Sequence, residues 1–217
     1  MAVRSPAAVA SRSRLLVATR STHKLRELRE LLGPLSTVLV SLDEAGIPGD
    51  VIEDGETFES NAAKKARFFA ALSGLPTLAD DSGLEVDALD GGPGVRTRRY
   101  AGENATDEEN NVKLLFELAG LPPERRTARY RCALALALPE LSGPRGGIPV
   151  RLSHGTCEGR IDFSPRGTNG FGYDPLFVPD GYTESFAELG EAVKNRLSHR
   201  AKALAKLKAY LTNKPSD

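Results

Sequence analysis

The sequence predicts an α/β fold, and three observations carry this. A short apolar run, Leu15–Ala18, passes through a polar stretch into leucines at helical spacing. A second apolar run, Pro76–Ala79, follows a capped helical pattern over residues 57–74. From Ala128 to Leu138, apolar side chains alternate with arginines and alanines at the period of a strand.

Composition bounds the rest. A chain of 217 residues, 40% hydrophobic and 27% charged, can bury a substantial core. We expect one domain over 15–217, preceded by a disordered tail over residues 1–14. The first 26 residues hold no Asp or Glu but several Arg and Ser, a composition that also suits a transit peptide; the globular pattern starting at Leu15 favours the tail. The 29 basic and 29 acidic side chains cancel, so no global field argues for nucleic acid or an anionic membrane. No apolar run is long enough to span a bilayer. Cys132 and Cys157 fit neither a disulfide framework nor a zinc pattern and point to a reducing compartment.

Taken in order, Leu15–Ala18 reads as a buried strand. Leu25, Leu28, Leu31 and Leu32 form a helical stripe that Gly33-Pro34 ends. The polar stretch Thr19, Arg20, Ser21, Thr22, His23, Lys24 therefore sits at a helix N-terminus, where free N–H groups favour anions such as phosphate. A plain N-capped helix start explains the same stretch equally well. Val38–Val40 is a second strand, and an acidic, glycine-containing loop spans Asp43–Gly55. Thr57 caps a helix with Phe58, Ala62, Ala66, Phe69 and Leu72 on one stripe. Asp54 and Glu56 suit the helix dipole; Glu53 does not, and is kept as a metal carboxylate.

The run Leu78-Ala79-Asp80-Asp81-Ser82-Gly83-Leu84 carries the chemistry. It reads as a strand ending in a charged tip, with Ser82-Gly83 turning the chain and a second strand-like piece over Leu84–Leu89. Adjacent carboxylates repel unless a cation compensates them, and Mg²⁺ prefers one or two carboxylates plus substrate phosphates. An Asx-type turn is the ordinary alternative. Neighbours on a strand face opposite ways, so only one of the two acids can face a cleft; periodicity does not say which.

Further on, Arg96, Arg98, Arg99 and Tyr100 could clamp a phosphate or simply be solvated. Thr106–Glu109 is a capping box opening a helix through Val112, Leu115, Phe116 and Ala119. Ile148–Thr156 is a strand neighbouring 128–138 across an exposed Gly/Pro-rich connection. In Arg166–Pro175, glycines allow close backbone approach, Phe171 or Tyr173 can stack on a flat ring, and Asp174 can accept from ring N–H groups. Ser185–Glu188 is another capping box. Lys194 and Ser198-His199-Arg200 lead into a last helix with Leu204, Leu207 and Leu211 on one stripe. Cations in its first turn oppose the helix dipole, so a bound anion or electron-rich base edge is expected to compensate them.

In order, strand-T-x-x-x-x-K, T-F-E-S-N-A, A-D-D-S-G-L, G-P-G-V, R-Y-A-G, G-F-G-Y-D-P and S-H-R resemble the non-canonical purine nucleoside triphosphate pyrophosphatases, the inosine triphosphatase family. The resemblance runs from Leu15 to Leu211. It implies a twisted mixed β-sheet with flanking helices and two lobes around a central cleft, a homodimer, and Mg²⁺-dependent hydrolysis of dITP, ITP or XTP to monophosphate and pyrophosphate; with the cysteine pattern, a cytoplasmic location is expected. By position it makes Thr19, Arg20, Ser21, Thr22, His23 and Lys24 the phosphate loop, Asp81 the general base and metal carboxylate, Ser82 a substrate contact and Glu53 the acid sharing the metal. Phe171, Gly172, Tyr173 and Asp174 become the base pocket, completed by Lys194, His199 and Arg200. The family loop reads T-G-N-x-x-K; here Arg20 and Ser21 replace Gly and Asn. Ser21 can still donate to a phosphate, and Arg20 can point outward. A nucleotide-binding module without turnover would share the cleft but not need paired acids, and a single-stranded RNA binder using Arg96–Tyr100 is disfavoured by the zero net charge.

Overall fold

The structure is a computed structural model describing residues 13–33, 37–142 and 147–212, with side chains to residue 208. Residues 1–12 of the expected tail lie outside these, as do Pro34 and the Leu211 side chain. Arg14 already belongs to the first strand.

Six strands form one mixed sheet in the order β2-β1-β3-β4-β5-β6. Strand β1 (Arg14–Ala18) runs parallel to β2 (Val38–Ser41) and to β3 (Thr77–Val86). Parallel neighbours need crossover connections, and helices α1 (Thr22–Leu32) and α2 (Phe58–Ser73) lie in them. The long strands β3, β4 (Thr127–Ala137) and β5 (Val150–Ile161) are antiparallel, and β6 (Phe177–Pro179) pairs with the far end of β5. Helices α3 (Asp107–Glu117), α4 (Phe186–Leu197) and α5 (His199–Thr212) complete the fold.

The two faces of the sheet carry different residues because strand side chains alternate. Ala79, Ala133, Ala135 and Ala137 line one face, and their small size lets α2 pack closely through Phe58, Ala62, Ala66 and Phe69. On the other face, Leu78, Cys132, Leu134 and Leu136 meet Leu28 and Leu32 of α1 and Ala203, Leu204 and Leu207 of α5. A third apolar cluster gathers the opposite ends of the long strands, through Leu84, Val86 and Tyr130, with Leu114 and Leu118 beside α3 and Phe177 and Phe186. The chemistry sits between these clusters.

All three expected capping boxes or caps form, at Thr57, Thr106 and Ser185. Three expectations fail. Strand β3 does not end at the acids: it continues unbroken through Asp80, Asp81, Ser82 and Gly83, all paired in register with β4, because β4 supplies backbone partners along the whole stretch. The stripe expected on α3 is rotated: Phe116 is 79% exposed, and Asn110, Asn111 and Leu114 face inward. Hydrogen bonds from Ala101 N to Asn110 Oδ1, from Asn110 Nδ2 to Arg98 O and from Asn111 Nδ2 to Gly172 O outweigh burial of Val112 and Phe116. Leu72 also stays exposed at the end of α2.

Candidate active site

A cleft of about 560 Å³ opens beside β3, and every site residue named from the sequence lines it. At one end the chain leaves β1 and turns into α1. Ser21 caps that helix, its Oγ accepting from Lys24 N at 3.3 Å, and Thr19 Oγ1 accepts from Ser21 N at 3.1 Å. No acid occupies the first turn, so its electropositive end is left to the cleft. Arg20 lines the cleft and takes the outward direction that the sequence left open: its guanidinium pairs with Asp43 and donates to Ile47 O and Gly49 O, each at 2.6 Å.

The adjacent acids divide between the two faces of β3. Asp80, fully buried, points toward α1 and α5. Lys24 Nζ lies 2.5 Å from Asp80 Oδ1, Arg200 Nε donates to Asp80 Oδ2 at 3.0 Å, and Ser82 Oγ and Cys132 Sγ also donate to it. Burial penalises this carboxylate, yet Arg200 and Lys24 together hold it well below the usual range. Asp81 points toward α2. Its Oδ1 accepts from Ser82 N at 3.0 Å, while its buried Oδ2 has no partner among the described residues. Burial, aided by the charge of Glu53, pushes the Asp81 carboxyl up to about 6.

Such an oxygen beside a second carboxylate fits a cation. Lys65 Nζ presently fills part of that role, 2.5 Å from Glu53 Oε1 and 3.0 Å from Asp80 O. No group of three or more His, Cys, Asp or Glu among the described residues could cage a metal. A hard divalent ion held by Asp81 and Glu53 would therefore draw its remaining oxygens from substrate and water, the habit of Mg²⁺.

At the other end, the glycine-rich loop closes over the cleft. Gly172 donates to Asp107 Oδ2 at 2.6 Å and accepts from Asn111 Nδ2 at 3.1 Å, which ties the loop to α3. The two aromatics, both lining the cleft, are placed differently. Tyr173 is buried in the third cluster with its hydroxyl on Thr97 O, whereas Phe171 faces the cleft, stacked on His23 with ring centroids 5.0 Å apart. Asp174 Oδ2 takes Lys194 Nζ at 2.6 Å and Phe171 N at 2.9 Å.

The expected compensation of the α5 cations by a bound anion is corrected. Arg200 is paired inside the protein, with Asp80, Ser82 Oγ and Glu27. Burial pushes His199 well below its ordinary pKa, so it is a neutral imidazole, stacked on Tyr130 at 4.8 Å with its Nδ1 unpartnered. A buried network of alternating sign thus runs beneath the cleft, from Lys24 through Asp80, Arg200, Glu27 and Lys194 to Asp174.

Sequence reasoning missed Glu27, Lys65, Tyr130, Asp107 and Asn111. Two left a signal: Glu27 lies three residues after Lys24 beside Leu28, and Lys65 falls within the apolar stripe of α2, so each is a charge on a buried face.

Comparison with known proteins follows the same geometry. The model of the Ham1 family matches residues 15–210. The dITP/XTP pyrophosphatase of Geobacter sulfurreducens is 53% identical over 199 residues, 92% of this chain and 96% of its own length. A HAM1 protein from Coxiella burnetii has a similar structure, with a TM-score of 0.81 at 41% identity, covering 92% of this chain and 98% of that one. A nucleoside-triphosphatase, dITP/XTP pyrophosphatase, from Mycobacterium abscessus gives a TM-score of 0.72 at 42% identity, covering 89% and 98%.

Proposed function

This chain belongs to the Ham1 family, and we propose that it hydrolyses dITP, XTP and ITP to the nucleoside monophosphate and pyrophosphate. The observation that carries the reading is Asp81: a buried carboxylate with one unpartnered oxygen, beside Glu53, between a helix N-terminus and a base-sized pocket.

In this reading the α1 N-terminus and Lys24 receive the phosphates, and Phe171 supports the base. Neutral His199 offers the 6-oxo edge of hypoxanthine or xanthine a hydrogen-bond partner. Asp81 orients the attacking water and takes its proton at the carboxylate oxygen left free of the cation. The new bond forms at the α-phosphorus as its bond to the pyrophosphate oxygen breaks. Mg²⁺, when held by Asp81 and Glu53, supplies neutralising charge to the phosphate oxygens. Buried Asp80 stays ionised between Lys24 and Arg200 and keeps both cations in place.

The proposal includes a two-lobed domain over residues 15–217 and a homodimer working in the cytoplasm on free nucleotides, with no nucleic-acid or membrane partner. It is supported by the family likeness, the two buried free cysteines and the zero net charge. No helix among the described residues is long and apolar enough to cross a membrane. A binding module without turnover has no use for the unpartnered Asp81 oxygen, whose burial is costly.

The test is product analysis over a panel of nucleoside triphosphates, with Mg²⁺ and with EDTA. Monophosphate and pyrophosphate from dITP and XTP, with ATP cleaved far more slowly and EDTA abolishing turnover, is the expected result. Release of diphosphate and orthophosphate would overturn the reaction, and binding without products would favour the module.

A further inference from the structure

Arg20 stands in the phosphate turn, and its contacts give it a task. It follows Thr19 at the exit of β1, beside the hydroxyls of the phosphate end, yet its guanidinium turns to the segment between β2 and α2. There Arg20 pairs with Asp43 and donates to two backbone carbonyls, Ile47 O and Gly49 O, each at 2.6 Å. Asp43 is largely exposed, so that pair alone holds little. The carbonyl bonds are charge-assisted and fix backbone directly.

Leu42 and Ile47 seat the start of that segment in the core, with Ala45 and Val51 packed against it, but little regular backbone pairing holds it. Residues 42–57 contain no helix or sheet strand, and Gly46 and Gly49 lie in the left-handed region with φ of 66° and 78°. Local turns close around Leu42–Ile47. At the far end Asn61 holds both backbone groups of Gly55, at 2.7 and 3.3 Å. Glu53 lies between these anchors: its carboxylate pairs with Lys65 at 2.5 Å, and its carbonyl accepts a long bond of 3.4 Å from Arg99. From Gly49 the chain is four residues from Glu53, the carboxylate whose charge acts on Asp81.

We infer that Arg20 is a positioning residue: by clamping the Asp43–Gly49 loop to the phosphate turn, it fixes where Glu53 stands beside Asp81 and so sets the affinity for the divalent cation. The inference rests on the proposed function only in taking Glu53 and Asp81 as the cation's carboxylates. It makes Arg20 no contact of the nucleotide.

The test uses the full chain without nucleotide. Mn²⁺ binding is followed by the electron paramagnetic resonance of the free ion, and amide exchange is followed over residues 43–55. Arg20→Gly is expected to weaken Mn²⁺ binding by roughly 10-fold, typical of losing a group that orients a ligand, and to speed exchange over 43–53. Arg20→Lys, which keeps the Asp43 pair but not both carbonyl bonds, should fall between. Asp43→Ala should shift both readouts slightly in the same direction. At saturating Mn²⁺ the KM for dITP should hardly change in Arg20→Lys. Unchanged Mn²⁺ affinity and exchange in a folded Arg20→Gly would overturn the inference, and a raised KM at saturating metal would make Arg20 a substrate contact instead. If the wild-type chain binds no Mn²⁺ or releases no pyrophosphate, the proposed function fails on its own, and unchanged exchange over 43–53 would still overturn the clamp.

Discussion

Lys24 Nζ lies 2.5 Å from Asp80 Oδ1, while Asp81, the next residue in the chain, faces the opposite side of β3. Two carboxylates that composition cannot distinguish are thereby given different work. Asp80 is consumed by structure, between Lys24 and Arg200. Asp81 keeps a free oxygen for chemistry.

The two Asn variants should separate these roles. Asp81→Asn should lower single-turnover hydrolysis of ITP at saturating Mg²⁺ by at least the roughly 10²- to 10⁴-fold of a lost general base. Because the folded pKa of Asp81 is raised, the folded state binds more protons than the unfolded one between about pH 4 and 6, so stability falls as pH rises through that window. Removing the charge should then stabilise the metal-free protein at pH 8 by about 1–3 kcal/mol, or roughly 2–12 °C in Tm for a chain of this size. Asp80→Asn should do the reverse, costing about 3–5 kcal/mol because two buried cations lose their counter-charge. Equal melting of the two variants in EDTA would refute the division.

His199 is the cleaner probe of base choice, since Arg200→Ala would also break the buried network. His199→Ala should narrow the preference for ITP over ATP by about 1–3 kcal/mol, the cost of one unsatisfied buried partner. Unchanged selectivity in the folded variant would place base reading elsewhere.

The same residue predicts an acid limit. Buried neutral, its folded pKa is depressed, so the unfolded chain binds the extra proton and stability is lost as pH falls below about 6.5. Urea unfolding between pH 7.5 and 5 should show a slope from this group of at most about 1.4 kcal/mol per pH unit, and His199→Phe should remove it. An identical slope in that variant would assign the acid sensitivity to other groups.

The base loop offers a contrast between two aromatics. Phe171→Ala should raise the KM for dITP, since stacking of a base on an aromatic ring contributes about 1–3 kcal/mol. Tyr173→Phe should leave KM unchanged and cost about 1 kcal/mol of stability, through the lost bond to Thr97 O. The opposite pattern in the kinetics would mean Tyr173 supports the base.

Gly155 on β5 should tolerate no side chain. A Cβ there would stand 1.9 Å from His199 O and 2.5 Å from Ala203 N, both backbone atoms of α5. Gly155→Ala should therefore push α5 off the sheet, cost about 1–3 kcal/mol of overpacking and loosen base selectivity together with Tm. Normal melting and selectivity would show that the helix sits further from β5.

Periodicity and caps alone determined the strands β1, β2 and β4 and the first part of β5, the helix starts at Thr57, Thr106 and Ser185, and the rule that only one of Asp80 and Asp81 can face the cleft. These depend on neighbours within a turn or two of chain, so they are legible in the residues themselves. The ordered motifs named the candidate residues, and the fold gathers them into one cleft. Tertiary structure alone decided which acid became structural, because Arg200 lies 120 positions from Asp80 and Lys24 on another helix. It decided likewise that Glu27 and Lys65 are buried, that the Arg20 guanidinium reaches from the cleft's edge to the loop, and that α3 rolls its asparagines inward. A charge or amide enters a protein interior only where a partner of complementary chemistry waits, and a residue's local sequence carries no record of where a distant partner will be.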